Sequence, residues 1–537
     1  MLELLKNKPI DQYIAEYALL HPAKTAINFY GYEISYSKLN DDINKLANYL
    51  QSINIQKGDT IALYLQNSPQ YIISFYAAQR IGAIVGPCNP MFKEWELHYQ
   101  LNDLEAKVII TSPDLYPIFQ KIEDETNVKH KILINYADYL PSEPYPDFPE
   151  KIDHTSFNDT SAWNEIINNK AFATDVRPAA VDMSEDVGLI VYTSGTTGAP
   201  KGAMLTFKNS EYQAAAVAKN FSYREEDKVV SIMPIFHIAG KLVGMMSPFI
   251  TGSTIILLSR FHPVGYLQAV EKYKATILYT TTPMNIQMMN EEKIKDTDFS
   301  SLVLNIITSF GIQLTKEISD NWESFTGIPL MEFAYGMSET HTGNAMTPPD
   351  QIKYGANGKP PEGTVLKIVN LDNYDEELPP NAQGMILVKG PSVFKGYKGK
   401  EEETRKSFYK GFFLTGDIGT IDEDGFLYFL GRAKEMIKCS GYSVYPEEVE
   451  KMLAKNEKVS EVAVIGIPDA VRGESVKAFI VLKDGCTATE DEIITWAKER
   501  MSAYKYPREV EFIDAIPKTN SGKLLRRLLR KDTEQAK

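Results

Sequence analysis

Residues 187–202, Val187-Gly188-Leu189-Ile190-Val191-Tyr192-Thr193-Ser194-Gly195-Thr196-Thr197-Gly198-Ala199-Pro200-Lys201-Gly202, run from an uninterrupted apolar segment into a loop of glycines, hydroxyls and one lysine. An apolar run without polar alternation fits a strand covered on both faces, the setting of a layered α/β protein. The loop behind it can fold its N–H groups into a concavity. Serine and threonine hydroxyls add donors and Lys201 adds charge, a combination suited to a polyphosphate. The spacing matches neither G-x-x-x-x-G-K-[ST] nor G-x-G-x-x-G, so ordinary kinase and dinucleotide loops lose support. On composition alone, a flexible Ser/Thr/Gly turn is the commoner outcome for such a cluster.

Working outward, strand-like runs recur at 60–65, 107–111, 228–233, 253–258, 275–280 and 303–307, separated by helical patterns such as 69–82. This alternation predicts a large α/β domain. Pro141, Pro144, Pro146 and Pro149 open a polar stretch reaching about Val181, read as a surface excursion. Past Gly431 the elements shorten. Pro446 opens a helix with Glu447 and Glu448 at its positive end, and 460–467 and 475–482 read as strands of a small α+β domain. The basic tail at 522–531 reads as a solvated helix end.

Length and composition bound the rest. At roughly 150 residues per domain, 537 residues make about three or four packed units. With 43% hydrophobic and 24% charged residues the chain is globular, and disordered or fibrous classes fall away. Lys+Arg 57 against Asp+Glu 71 gives −14, which argues against nucleic acid as a partner while leaving room for a local cationic pocket. Cys88, Cys439 and Cys486 are scattered, with no zinc spacing, which fits a reducing compartment. The start carries acids early and lacks the cationic and apolar parts of an export signal. The most apolar stretch, 242–258, is cut by Pro248 and falls short of the ~20 residues that span a bilayer. A cytoplasmic protein with no integral membrane segment is expected, and a homodimer is compatible with the sequence.

The loop at 192–202 resembles the phosphate loop of the adenylate-forming superfamily of acyl-CoA synthetases, peptide-synthetase adenylation domains and beetle luciferases. Five further segments agree in order: PIFHIAG (234–240), YGMSET (335–340), YKGFFLTGDIG (409–419), GRAKEMIKCSGYSVYPEEVE (431–450) and PKTNSGKLLRRLLR (517–530). The resemblance is to fatty-acid–CoA ligases above all. It implies a large multi-subdomain N-terminal α/β domain (1–431), a hinge (432–434) and a small mobile α+β C-terminal domain (435–537).

The resemblance also implies roles. Thr193, Ser194, Gly195, Thr196, Thr197, Gly198 and Lys201 would hold the phosphates of ATP. Tyr335 and Gly336 would pack on adenine, and Thr340 would touch the α-phosphate. Glu339 would bind Mg²⁺, which needs few carboxylates beside phosphate oxygens. Asp417 would accept both ribose hydroxyls, with Arg432 beside it. Lys523 would bridge the carboxylate and the α-phosphate, where two anions meet and a cation is required. His237 would donate to the acyl carboxylate or gate the acyl tunnel, and is not read as a general base. Lys434 would lie at the hinge. Lys438, Ser440, Gly441 and Tyr442 would face the pantetheine of coenzyme A, and Phe236, Gly311 and Ile312 would line the acyl pocket.

Three departures stand out: 309–314 reads Ser-Phe-Gly-Ile-Gln-Leu where small residues are usual, Gly384-Met385 replaces Gly-Glu, and Lys410-Gly411-Phe412 replaces Asp-Gly-Trp. The first bears on substrate size; none removes a catalytic group. The implied activity is ATP-dependent acyl-CoA synthesis, with a medium- or long-chain fatty acid favoured because 234–246 and 281–289 are Met-, Leu- and Ile-rich and contain no acid. An aryl acid, transfer to a carrier protein, and a non-catalytic nucleotide sensor are the rivals.

Overall fold

The computed structural model describes residues 3–173, 175–193, 200–309, 312–439, 442–469, 472–518, 524–526 and 528–530. They divide into two compact units, Met1–Val365 with Lys389–Phe408, and Leu366–Val388 with Tyr409–Lys537.

The first unit holds two mainly parallel sheets. One has eight strands in the order Gly396–Tyr397, Lys201–Thr206, Val187–Thr193, Ile84–Cys88, Thr60–Tyr64, Val108–Thr111, His130–Leu133 and Ser161–Ala162. The other has seven, from Leu330–Glu332 through Leu304–Thr308, Ile277–Thr281, Lys228–Ser231, Thr254–Leu257 and Thr25–Phe29 to Tyr32–Ser35. Strands such as Thr60–Tyr64 and Thr254–Leu257 are buried at every position, as the uninterrupted apolar runs predict. Helices begin where the sequence supplies caps. Ser68 accepts from Tyr71 N (3.2 Å) ahead of Pro69, and Thr206 and Asn209 form a reciprocal box at the helix Phe207–Asn220.

The second unit contains one sheet built on Gly384–Lys389, Phe412–Ile421 and Leu427–Arg432, and another built on the long hairpin Val459–Asp469/Gly473–Leu482. Ile437, Val449, Leu453, Val464, Ile480 and Ile493 pack the helices Pro446–Leu453 and Glu490–Lys498 onto the latter. Pro446 is the first helical residue, and Glu447 and Glu448 occupy the first turn, as expected.

Two sequence readings are corrected. The stretch after Pro141 is more than a surface excursion, because Ser161–Ala162 closes the sheet edge and Trp163 is buried behind it. The basic tail is not simply solvated, because Arg526 and Leu529 are both buried: a guanidinium flanked by carboxylates and a leucine on an apolar cluster lose water without losing partners. Among the described residues no helix is long and apolar enough to cross a membrane.

Candidate active site

In the first unit the quoted stretch is an antiparallel hairpin in which Thr193 pairs with Lys201, so the two described ends of the loop sit opposite each other. Ser194, Gly195, Thr196, Thr197 and Gly198 lie outside the described residues. The far post is tied down, since Tyr99 donates from its hydroxyl to Pro200 O (2.7 Å). A side chain at Gly202 would meet Ile190 Cγ2 at 2.8 Å, so the hairpin closes only on glycine.

Lys201 Nζ lies 4.8 Å from the centroid of the Tyr397 ring, and the Tyr397 hydroxyl donates to Glu339 Oε1 (2.8 Å). Phe394 N also donates to Glu339 O (2.8 Å). The cation of the loop and the carboxylate of Ser338–Thr340 are thereby joined through one buried phenol. Thr340 is buried, its hydroxyl donating to Asn344 Oδ1, whose amide donates to Ser392 Oγ (3.1 Å). Tyr335 is buried on a two-residue strand that returns at Ala345–Met346. Gly336 has no room for a side chain: a Cβ would stand 2.5 Å from Thr342 Cα and 2.7 Å from Gly343 N.

Among the described residues no cluster of three or more His, Cys, Asp or Glu could cage a metal ion. A lone carboxylate held by a phenol fits instead a magnesium ion that takes most of its ligands from phosphate and water.

His237 caps the helix Ile238–Lys241, its Nδ1 accepting from Ala239 N (3.4 Å). Enclosure by protein, with Lys241 nearby, pushes its pKa down to about 4, so the ring is neutral at pH 7 and its proton sits on Nε2 as a donor. His341 is also neutral: burial lowers it to about 3, and its Nε2 meets Ser210 Oγ at 3.0 Å. Phe236 is half-buried beside His237, whereas Ile312 is 42% exposed. Gly311 lies outside the described residues.

In the second unit Asp417 and Arg432 are cross-strand partners, Arg432 Nε lying 2.8 Å from Asp417 Oδ1. Arg432 also donates from Nη1 to Thr415 O (3.2 Å), and Asp417 N donates to Thr415 Oγ1 (3.0 Å). Asp417 is buried, so this pair is a preformed unit of one acceptor and one fork-shaped donor. Lys434 is exposed in the 3₁₀ turn Ala433–Glu435. Lys438 is exposed, its amide donating to Glu474 Oε2 (2.7 Å), and Tyr442 stacks on Tyr504 with centroids 4.3 Å apart. Ser440, Gly441 and Lys523 lie outside the described residues.

Close by, Arg526 pairs with Glu435, Glu447 (2.9 Å) and Glu450 (2.7 Å). Burial, with only one guanidinium for three acids, raises Glu447 to about 7. Sequence reasoning missed Tyr397, His341, Lys241 and this cluster. Each depends on a partner distant in the chain; only the polar Lys241 inside an apolar helix was visible as an anomaly.

Comparison with known proteins places the chain in a family. The family model described as AMP-binding enzyme matches residues 14–398, and that described as AMP-binding enzyme C-terminal domain matches 448–523. A long-chain-fatty-acid–CoA ligase of Bacillus subtilis is 36% identical over 99% of this chain and 96% of its own length. A probable 4-coumarate–CoA ligase 1 of Dictyostelium discoideum is 30% identical over 98% of this chain and 96% of its own length. The ATP-bound crystal structure of MatB from Rhodopseudomonas palustris superimposes with a TM-score of 0.83 at 28% identity, covering 98% of this chain and 99% of that one. With family models spanning most of its length and relatives alike from end to end, the chain belongs to the AMP-binding enzyme family.

Proposed function

We propose that the protein is an AMP-forming acyl-CoA synthetase acting on a medium- or long-chain fatty acid. The observation that carries the reading is the Lys201–Tyr397–Glu339 linkage, which sets a loop cation over the ring face of one phenol and a lone carboxylate at its hydroxyl, an arrangement suited to an ATP·Mg²⁺ triphosphate. Full-length similarity to long-chain-fatty-acid–CoA ligases supports the acyl class.

In the first half-reaction a carboxylate oxygen of the fatty acid attacks the α-phosphorus, the bond to the β-phosphate bridge breaks, and pyrophosphate leaves. Lys201 and the hairpin loop bind the departing charge, and Asp417 with Arg432 holds the ribose. His237, neutral and protonated on Nε2, donates to the acyl carboxylate and orients it. Glu339 would hold a magnesium ion, which when bound would supply neutralisation of phosphate oxygens. Lys523 steadies the two anions as they meet. In the second half-reaction the CoA sulfur attacks the acyl carbonyl, AMP departs, and the thiol proton goes to solvent. A hinge at 432–434 separates the two steps, and Lys438, Ser440, Gly441 and Tyr442 face the pantetheine in the second. The protein works in the cytoplasm.

Lys523→Ala tests the assignment. Carboxylate-dependent pyrophosphate release should fall by about a hundredfold or more, while ATP binding measured by calorimetry persists. Undiminished release would sink the role given to Lys523.

A further inference from the structure

The helix Glu94–Leu104 runs beside the hairpin that carries the phosphate loop, and it is itself firmly seated. Leu97, Leu101 and Leu104 are buried in a cluster with Tyr64, Cys88 and Ile190, and Gln100 donates from Nε2 to Pro87 O (2.7 Å). Trp95, Tyr99 and Asp103, spaced by four, share another face of the helix. Trp95 lies along Tyr99 with ring centroids 6.4 Å apart and planes 19° apart, and Tyr99 meets Tyr192 edge-on at 6.5 Å.

This face grips both ends of the loop. Tyr99 donates from its hydroxyl to Pro200 O (2.7 Å), where the loop rejoins the hairpin, and the Tyr192 hydroxyl donates to Asp103 Oδ2 from the strand that leads into the loop. Burial, with Asp103 close by, raises both phenols above their ordinary range, so each keeps its proton and donates. At the end of the helix Glu105 holds Lys398 Nζ (2.8 Å), and the Lys398 amide donates to Gly202 O (2.9 Å). The hairpin closes without the two phenol bonds, because Thr193 and Lys201 already pair across it. What they add is a fixed place for both ends against a seated helix. Glycine-rich backbone loses conformational freedom when it wraps an anion, and ends fixed beforehand lower that cost.

We propose that Tyr99 and Asp103 are positioning residues for the phosphates of ATP: acting through Pro200 and Tyr192, they clamp both ends of the loop to the helix Glu94–Leu104 and preset its cradle. This deepens the ligase reading and rests on the assignment of that loop to the phosphates. The clamp serves only what the loop holds. AMP presents a single phosphate, assigned to Thr340, so its binding is independent of the clamp, whereas ATP and pyrophosphate depend on it.

The test is calorimetry of ATP, pyrophosphate and AMP, each with Mg²⁺ and without fatty acid, on the full-length protein and its variants. Tyr99→Phe keeps the ring and loses the donor; Asp103→Ala loses the acceptor. In each, Kd for ATP and for pyrophosphate should rise about three- to tenfold, the effect of one hydrogen bond, while Kd for AMP stays within about twofold. Asp103→Asn, which keeps a carbonyl acceptor, should recover part of the loss. Tyr192→Phe combined with Asp103→Ala should bind ATP no more weakly than the worse single variant, because both remove one bond. Unchanged ATP affinity in Tyr99→Phe and Asp103→Ala, or equal losses for ATP and AMP, would overturn the clamp. Wild-type protein that binds neither nucleotide would overturn the ligase reading itself, and this inference with it.

Discussion

At the scale of single residues, the site is governed by which polar groups are already paired before ligands arrive. Asp417 is held by Arg432 at 2.8 Å across two strands, so its carboxylate is fixed in place rather than recruited. Asp417→Ala should raise KM for ATP by about 10- to 100-fold, the range for losing hydrogen bonds to a charged group, with a smaller effect on kcat. Tyr397→Phe keeps the ring under Lys201 but removes the donor to Glu339. The concentration of Mg²⁺ needed for half-maximal rate should rise severalfold, and Tyr397→Leu should do worse because it also loses the ring. His237 should contribute no ionisation to the pH–rate profile between pH 5.5 and 8, since its pKa lies near 4; a base limb that disappears in His237→Asn would contradict this. Asp417 and Glu339 were legible because each sits in a short ordered segment of distinctive residues. Tyr397 was not, because nothing near it in sequence says that a tyrosine 58 positions after Glu339 reaches back to it.

At the scale of elements, the hairpin Val187–Thr206 and the turn Ser338–Thr340 are positioned by backbone constraints that only glycine meets. Gly336 lies against the backbone of Thr342 and Gly343, which cannot move aside as a flexible side chain would. Gly336→Ala should cost about 1–3 kcal/mol of stability and weaken nucleotide binding in the same variant, as read by thermal melts with and without ATP. Normal stability with normal ATP affinity would show that the close approach is unimportant. Buried strands of the first unit were readable because both faces are covered, so the apolar signal is continuous. The edge strand Ser161–Ala162 was not, since two residues in a polar context carry no period. The same holds for the π-helix Leu242–Met246, which differs from an α-helix only in its hydrogen-bond register.

At the scale of the whole molecule, two buried histidines of the first unit and one buried glutamate of the second give their own surroundings opposite responses to acid. In the first, His237 and His341 have folded pKa values of about 4 and 3, below the ordinary 6.5. The unfolded chain therefore binds more protons, and the stability these histidines contribute is intact above pH 6.5 and lost as pH falls toward 4, at about 1.4 kcal/mol per pH unit for each. In the second, Glu447 is raised to about 7, so its contribution is intact below about 4.5 and is lost as pH rises toward 7. Hydrogen exchange between pH 7 and 5 should show protection falling around His341 and rising around Pro446–Leu453; parallel changes would refute the assignment. Arg526→Met should be severely destabilising, by about 3–5 kcal/mol, because it strands Glu435, Glu447 and Glu450 without their cation. The tail that looked solvated in sequence is thus tied into the second unit, since amphipathic spacing says which residues share a face but not what covers it.

Catalysis of two coupled half-reactions is read from product stoichiometry. Purified protein with ATP, Mg²⁺, CoA and carboxylic acids from acetate to palmitate, with benzoate and 4-coumarate alongside, should form acyl-CoA, AMP and pyrophosphate in equal amounts, with an optimum among the medium or long aliphatic chains. Release of ADP and phosphate, or no CoA-dependent product with any acid, would contradict the account.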